Sequence, residues 1–445
     1  MQDTICALAT PVGNGGISII RISGERSFEI ASCIFDAKNF TKDKVEPRKL
    51  YLGKVKLQNM YENCLAVYFV APYSYTGEDV VEFQCHGGTY VYNKILDLCV
   101  ENGARLALPG EFSKRAFING KMSLDKAEGV IDIINAQTDS EARAGFDLVN
   151  GELYKTVTNV QKELTNMLAE IEVSLDYPEH DIEYETAENI NKRLIVIKDN
   201  LQLLLDTSKQ GRVIKEGVNV VILGRPNVGK SSLMNALLNY DRAIVTDIAG
   251  TTRDTLQESY VYKDMRVNIT DTAGLHESDD VVEKIGIEKA RESINNADIV
   301  LLVLDSSQKL TKEDKDNLEL VKNKKTFIIA NKSDLTKNLD LQADYINVSA
   351  KDKKGIEEIK EKIYQTIKNE TFVPSNIILT NKRHQIAVSD AINSIKTAID
   401  NIFVVSLDCI AVDIKQAWEK LGEITGETTG EDIIDAIFSK FCLGK

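Results

Sequence analysis

A chain of 445 residues and 49.5 kDa exceeds what one packed core normally holds and suggests about three domains at roughly 150 residues each. Hydrophobic residues at 43% and charged residues at 27% exclude a disordered or fibrous chain. A formal charge of −14 and a pI near 5.0 exclude a diffuse positive field as the means of holding nucleic acid, so an RNA partner has to be gripped locally or through another protein.

Residues 1–118 mix short β-rich runs (Ile5 to Ala9, Ile17 to Ile22, Leu65 to Val70, Val80 to Phe83) with turn glycines and two helical stretches, which predicts a compact α/β unit. Residues 119–212 change texture. Leu153, Val157, Val160, Leu164, Met167, Ile171 and Leu175 recur at spacings of three and four, the stripe of a long amphipathic helix. An acidic break from Asp176 to Asp181 leads to a second stripe of Ile190, Leu194, Ile197, Leu201 and Leu204, so a helical hairpin is expected. Residues 213–373 alternate apolar strand-like runs (Val218 to Leu223, Ile299 to Leu304, Phe327 to Ala330) with helical stretches, the pattern of a parallel sheet covered on both faces. Helical periodicity returns in residues 374–445, through Ala387 to Val405 and again in Ile433, Ile434, Ile437, Phe438 and Phe441. The simplest topology inserts the second α/β block between two halves of one helical domain, with the chain entering and leaving that block at neighbouring points.

Seven cysteines (Cys6, Cys33, Cys64, Cys85, Cys99, Cys409, Cys442) with no C-x-x-C pair argue against a disulfide frame or structural zinc and fit a reducing cytosol. The start has neither the basic nor the apolar region of a signal peptide, and Gln2 stands where myristoylation needs glycine. The longest apolar runs fall far short of the roughly 20 residues of a membrane span. A cytoplasmic protein without a membrane is expected.

Val220 to Leu223 runs into Gly224-Arg225-Pro226-Asn227-Val228-Gly229-Lys230-Ser231-Ser232, a G-x-x-x-x-G-K-S motif in its strand–loop–helix setting. Its backbone amides can wrap phosphates, Lys230 neutralises the outer ones, and the Ser231 hydroxyl suits magnesium. Three segments follow in order: Thr251-Thr252, Asp271-Thr272-Ala273-Gly274 and Asn331-Lys332-Ser333-Asp334. Asp271 is placed to hold magnesium through water, and the Gly274 amide to approach the γ-phosphate. The Asp334 carboxylate can accept from both N1–H and the 2-amino group of guanine, which selects GTP over ATP, and Ser349-Ala350-Lys351 has the position of the segment that backs the base. Simple switches keep a water-orienting glutamine after the glycine, whereas this chain has Leu275. Asn227, with carbonyls of the Thr246 to Thr251 loop, offers a seat for potassium where an arginine finger would otherwise sit.

These motifs, together with Asp3-Thr4-Ile5-Cys6-Ala7, Gly15-Gly16-Ile17-Ser18, Arg21-Ile22-Ser23-Gly24, Tyr75-Thr76-Gly77-Glu78-Asp79, His86-Gly87-Gly88, Pro109-Gly110-Glu111-Phe112-Ser113, Arg115-Ala116-Phe117, Thr246-Asp247-Ile248-Ala249-Gly250-Thr251-Thr252-Arg253-Asp254 and Phe441-Cys442-Leu443-Gly444-Lys445, make the chain resemble the MnmE (TrmE) family of tRNA modification GTPases over nearly its whole length. The resemblance implies an N-terminal α/β folate-binding and dimerisation domain, and a helical domain interrupted by a Ras-like P-loop G domain. It implies a homodimer acting with the flavoprotein MnmG (GidA), in a heterotetramer or larger complex, on C5 of the wobble uridine of certain tRNAs. The one-carbon unit is 5,10-methylenetetrahydrofolate or 5-formyltetrahydrofolate, with Arg21, Glu82, Lys121 and Lys445 matching folate-contacting positions. Nucleotide, magnesium and potassium positions carried over are Asn227 to Ser232, Thr246 to Thr252, Asp271 to Gly274, Asn331, Lys332, Asp334 and Ser349 to Lys351. Among these, Ser231 and Thr252 face magnesium and Asn227, Thr246, Ile248 and Thr251 face potassium. Glu283 matches the glutamate that positions water, and Cys442 is either a nucleophile or a buried structural thiol. His86 reads as a turn histidine, His180 as part of a solvated acidic loop, and Trp418 as packing. A ribosome-assembly or RNA-binding regulatory GTPase without folate chemistry is the alternative.

Overall fold

A computed structural model describes residues 3–176, 180–238, 257–271, 292–375, 377–442 and 444. The chain divides into two compact units, one of Met1–Ile134, Gly145–Leu194 and Asn393–Lys445, the other of Asn135–Ala144 and Ile195–Ile392.

The first unit holds strands β1 (Ile5–Leu8), β2 (Ile17–Ser23), β3 (Phe35–Asp36), β4 (Leu50–Leu57), β5 (Met60–Phe69), β6 (Val80–His86) and β7 (Arg105–Leu106) in one sheet of order β3-β4-β5-β6-β2-β1-β7. All neighbours are antiparallel except β1 and β7. The two-residue period of β2 sends Ile20 and Ile22 inward, fully buried, and Arg21 to the other face, where the register sets it opposite Glu82 of β6. The inward face is covered by the helices Ser27–Ile34 and Thr89–Glu101 in a core containing Phe28, Phe83 and Ile95.

One ion network fastens this domain. The Arg115 guanidinium, 5% exposed, donates to the Asp3 carbonyl at 2.8 Å, to Asp3 Oδ1 at 2.8 Å, to Glu78 Oε1 at 3.1 Å and to Glu111 Oε1 at 3.1 Å. Arg105 reaches the same two acids, Asp3 at 2.6 Å and Glu111 at 2.7 Å, and with Arg115 holds Asp3 below the usual carboxylate range.

The expected amphipathic stripes form the helices Glu152–Asp176 and His180–Asp206, with Leu153, Val157, Leu164, Met167, Ile171, Ile190, Leu194 and Leu201 all buried. The first stripe stops short of its expected end, since Val173 and Leu175 are 61% and 43% exposed. Arg193 ties the two helices by donating to Glu170 at 2.7 Å and Glu163 at 3.0 Å. Helix Leu407–Thr425 packs along the first of them, Gln161 donating to the Trp418 carbonyl at 3.3 Å, and helix Glu431–Phe438 buries Ile437 and Phe438 against Leu124 and Phe117.

The second unit carries β8 (Val218–Leu223), β9 (Gln257–Tyr262), β10 (Met265–Asp271), β11 (Ile299–Asp305), β12 (Thr326–Asn331) and β13 (Ile346–Asn347) in the order β13-β12-β11-β8-β10-β9. β11 is buried along its whole length, as an apolar run in the middle of a parallel sheet should be. The sheet departs from pure parallel at one edge, where β9 pairs antiparallel with β10 across a two-residue turn, Lys263 and Asp264, both with positive φ. The alternation in Tyr260-Val261-Tyr262 was the available signal for this hairpin. Helix Ser208–Glu216 leads into the sheet and helix Ile356–Thr371 leads out. Their outer ends touch: Leu379 N donates to Thr207 Oγ1 at 3.0 Å and Val373 N to Gln210 Oε1 at 3.0 Å. The chain thus enters and leaves this α/β block side by side. Among the described residues no helix is long and apolar enough to cross a membrane.

A Cβ on Gly211 would lie 1.9 Å from the Leu379 carbonyl oxygen, so Gly211→Ala must push these two segments apart. The expected outcome is a loss of about 2–3 kcal/mol in chemical denaturation; an unshifted midpoint would show that the junction yields freely.

Candidate functional site

The loop after β8 turns into the helix Lys230–Leu238 through Gly229, whose φ of +98° suits glycine and whose missing side chain leaves room for Asn331: a Cβ there would sit 2.3 Å from Asn331 Nδ2. Asn227 is exposed and left-handed, φ +61°, a conformation asparagine tolerates better than most residues. Lys230, 6% exposed, donates Nζ to the carbonyls of Gly224 at 2.7 Å and Arg225 at 3.0 Å. Burial pulls its ammonium below the ordinary lysine value, with Asp271 and Glu313 opposing. Ser231 Oγ donates to Asp271 Oδ2 at 3.1 Å, which brings the first turn of the helix and the end of β10 together. Val228 is fully buried, and Ser232 is exposed beside Ser231.

The second half of the site is built on the end of β12. Asn331, 2% exposed, donates Nδ2 to the Val228 carbonyl at 2.9 Å and accepts the Ala350 amide on Oδ1 at 3.1 Å. Asp334, exposed, accepts the Ser349 hydroxyl on Oδ1 at 2.9 Å, and Ser349 in turn accepts the Asp352 amide at 3.2 Å. Lys332, at φ +63°, places Nζ 2.7 Å from Asp305 Oδ2. Lys351 follows on the exposed turn.

Two residues that the sequence reading passed over complete the frame. Asp305 ends β11, is 3% exposed, and accepts from Lys332 Nζ, Ser307 N at 3.0 Å and Ser307 Oγ at 2.6 Å. Burial raises its pKa, but Lys332 and Ser307 outweigh that and hold it below the usual value. Arg225 donates to Gln308 at 2.7 Å and lies 3.4 Å from the buried Asp314, tethering the phosphate-type loop to the segment after β11. The signal for Asp305 was present, a carboxylate closing an apolar run; Arg225 sits at a variable motif position and gave none.

Thr246, Asp247, Ile248, Ala249, Gly250, Thr251, Thr252, Thr272, Ala273, Gly274, Leu275, Glu283 and Lys445 lie outside the described residues.

In the other unit Arg21 Nε donates to Glu82 Oε1 at 2.8 Å, and the guanidinium lies 5.1 Å from the Tyr75 ring centroid and 5.6 Å from that of Phe112. Arg21 Nη1 also reaches the Gly444 carbonyl at 3.5 Å. Gly444 is required there, for a Cβ would come within 2.0 Å of the Leu8 carbonyl oxygen. Lys121 is exposed, its stem beside Gly77. Cys442 is exposed, which removes the buried-thiol alternative: the apolar stripe is continued by Phe441, and Cys442 falls off it. His86 sits at the end of β6 with Nδ1 and its backbone amide on Glu62 Oε1, at 2.7 and 2.9 Å. The His180 side chain lies outside the described residues; among these, no group of three or more His, Cys, Asp or Glu side chains is placed for a metal.

A parallel sheet carrying G-x-x-x-x-G-K-S and N-K-x-D loops at the carboxyl ends of its strands, set between helical segments, defines a P-loop GTPase with an inserted G domain. Family profiles agree: that described as the MnmE helical domain matches residues 124–442, and that described as the GTP-binding protein TrmE N-terminus matches residues 4–121. The chain is similar to the tRNA modification GTPase MnmE of Alkaliphilus metalliredigens (strain QYMF), 42% identical over 459 residues and covering all of both chains. The same-named proteins of Clostridioides difficile (strain 630), 41% identical over 460 residues with all of both chains covered, and of Acetivibrio thermocellus, 42% over 457 residues with 100% of this chain and 99% of that one, are comparably close. The chain belongs to the tRNA modification GTPase MnmE family, and it is a GTP hydrolase acting in tRNA modification.

Asn331→Ala removes the two bonds by which the end of β12 joins the loop after β8 to the loop after β13. Guanine-nucleotide affinity is expected to fall about ten- to a hundredfold in a fluorescent GDP titration, at roughly 0.7–1.4 kcal/mol per bond; an unchanged Kd would show the loops to be independent. Burial pushes the Cys64 thiol up to about 12 and Cys85 to about 11, and Cys6 and Cys99 are fully buried. At pH 8 a thiol reagent should therefore label Cys33, Cys409 and Cys442 in the native protein and the other four only after unfolding. Rapid native labelling of any of those four would contradict this burial.

Proposed function

We propose that the protein works as a homodimer with the flavoprotein MnmG (GidA) to add an aminomethyl or carboxymethylaminomethyl group to C5 of the wobble uridine of certain tRNAs, in the cytoplasm. Residues 1–118 bind a tetrahydrofolate one-carbon donor, residues 213–373 form the G domain, and residues 119–212 and 374–445 form the helical frame. The observation that carries this reading is the meeting of Arg21, Glu82 and Gly444, which sets the Gly444 carbonyl against the N-terminal sheet beside a paired cation and carboxylate. Glu82 retains Oε2 for the adjacent N–H donors of a pterin, and basic Lys121 and Lys445 suit a glutamate tail. Cys442, exposed one residue beyond Phe441, is then the thiol available to the one-carbon chemistry.

In the G domain Lys230 exchanges its loop carbonyls for the outer phosphates of GTP. The Ser231 hydroxyl and Thr252 would hold magnesium as hard oxygen donors, and the Asp271 carboxylate, 3.1 Å from Ser231 Oγ, would hold it through water. Magnesium and potassium, when bound, supply the positive charge that stabilises the phosphoryl group being transferred. Asp334 accepts from the guanine edge, Lys332 is held by Asp305, and Ser349 to Lys351 back the base. Asn227, with carbonyl groups of Thr246, Ile248 and Thr251, holds potassium, and Glu283 positions the attacking water.

Leu275 can neither accept nor donate, so hydrolysis without further help would run near 10⁻⁴ per second, and an added cation is worth about 10³–10⁵-fold. GTP turnover should therefore rise steeply in K⁺ relative to Na⁺ and with protein concentration. Equal rates in both ions, independent of dilution, would refute the cation and dimer assignments. Loss of the modified wobble uridine in a deletion strain, restored by this gene, tests the tRNA chemistry, and unchanged nucleoside masses would overturn it.

A further inference from the structure

The folate reading places Lys121 at the glutamate end of the ligand, and Lys121 also lines a cavity of about 430 Å³ whose other walls that reading does not use. Lys126, Tyr154, Ser123, Gly426 and Glu427 line it together with Phe117 and Met122. Lys126 is half-buried and its ammonium lies 5.9 Å from the Tyr154 ring centroid. Neither Lys121 nor Lys126 makes an ion pair among the described residues, in a unit where Arg21, Arg105, Lys114 and Arg115 all do. The Ser123 hydroxyl is buried with no hydrogen-bond partner. Glu427, exposed, is the one acid of the lining.

Lys121 is the link between this cavity and the pair that would hold the pterin. Arg21 packs on the Tyr75 ring, and two residues on, Gly77 touches the Lys121 stem, a Cβ there lying 3.2 Å from Lys121 Cγ. A ligand whose head lies at Arg21 and Glu82 and whose tail reaches Lys121 would therefore bring that tail to the cavity that Lys121 lines. Its mixed walls and two ammonium groups without an ion-pair partner among the described residues, five positions apart in sequence, suit a chain of carboxylates joined by flexible amide links.

We propose that this chamber is a subsite for the γ-linked oligoglutamate tail of the folate, with Lys126 and Ser123 receiving carboxylates beyond the first, so that the polyglutamylated cofactor is the preferred form. The inference rests on the folate assignment. Binding of 5-formyltetrahydrofolate monoglutamate and triglutamate to the full-length protein, measured by calorimetry, tests it. The triglutamate should bind about three- to tenfold more tightly, with the advantage shrinking as salt rises. Lys126→Ala and Lys126→Gln should erase the difference while leaving monoglutamate affinity in place. Equal affinities in the unaltered protein, or an advantage that survives both substitutions, would overturn the subsite and leave folate binding standing. Binding of neither form would overturn the folate assignment and the subsite with it.

Discussion

Asn331 donates one hydrogen bond to the carbonyl of Val228 and accepts one from the amide of Ala350, and through this single buried amide at the end of β12 the loop that follows β8 is locked to the loop that follows β13. The two loops are about a hundred residues apart in the chain and have no other reason to share a register. Gly229 yields the space, because any side chain there would collide with Asn331 Nδ2. Loss of either partner leaves a buried polar group unsatisfied, and the cost of that exceeds what the bond itself contributes. The phosphate-binding and base-recognising ends of the site are for this reason one object. The rest of the site, from Lys230 in its loop to Asp334 on Ser349, takes its position from that lock.

The ordered loops were legible from the sequence because their chemistry restricts residue type at each position: glycine where backbone must approach, lysine where charge must be met, aspartate where two donors must be accepted. The stripes of the long helices were legible for a different reason, since a period of 3.6 residues repeats over many turns. What escaped is the support behind the site. Asp305 reads as the end of a strand and Arg225 as a free motif position, yet one holds Lys332 and the other fastens the phosphate-type loop to Gln308 and Asp314. Such partners are set by tertiary contact, which local pattern does not encode. The β9 and β10 hairpin was missed because a short alternating run beside a parallel-sheet pattern carries little weight of its own.

Several N-terminal segments that carry the family resemblance turn out to share one physical task. Asp3, Glu78, Glu111 and Arg115 come from three separated motifs and meet in one network with Arg105. Arg115 is nearly enclosed, so its charge is tolerated only while its carboxylates remain, and removing one of them exposes the rest to the full desolvation penalty. These residues have no need to touch a ligand. They hold the start of β1, the turn after β5 and the helix Glu111–Ile118 in the positions that bring Tyr75 and Phe112 around the Arg21 guanidinium.

The proposed use of a bound cation follows from a subtraction. Lys230 and the backbone amides of its loop neutralise phosphate charge in the ground state as well as in the transition state, and uniform stabilisation of that kind does not raise the chemical rate. Leu275 adds nothing directional. The remaining increment, about 4–7 kcal/mol for a factor of 10³–10⁵, must come from charge that acts where charge develops. Asn227 is the residue proposed for that purpose: it is exposed, stands in the phosphate loop itself and adopts a left-handed backbone that most side chains resist. An amide oxygen has no charge to neutralise a phosphate and no proton to give, but it is a good ligand for a hard, weakly hydrated cation.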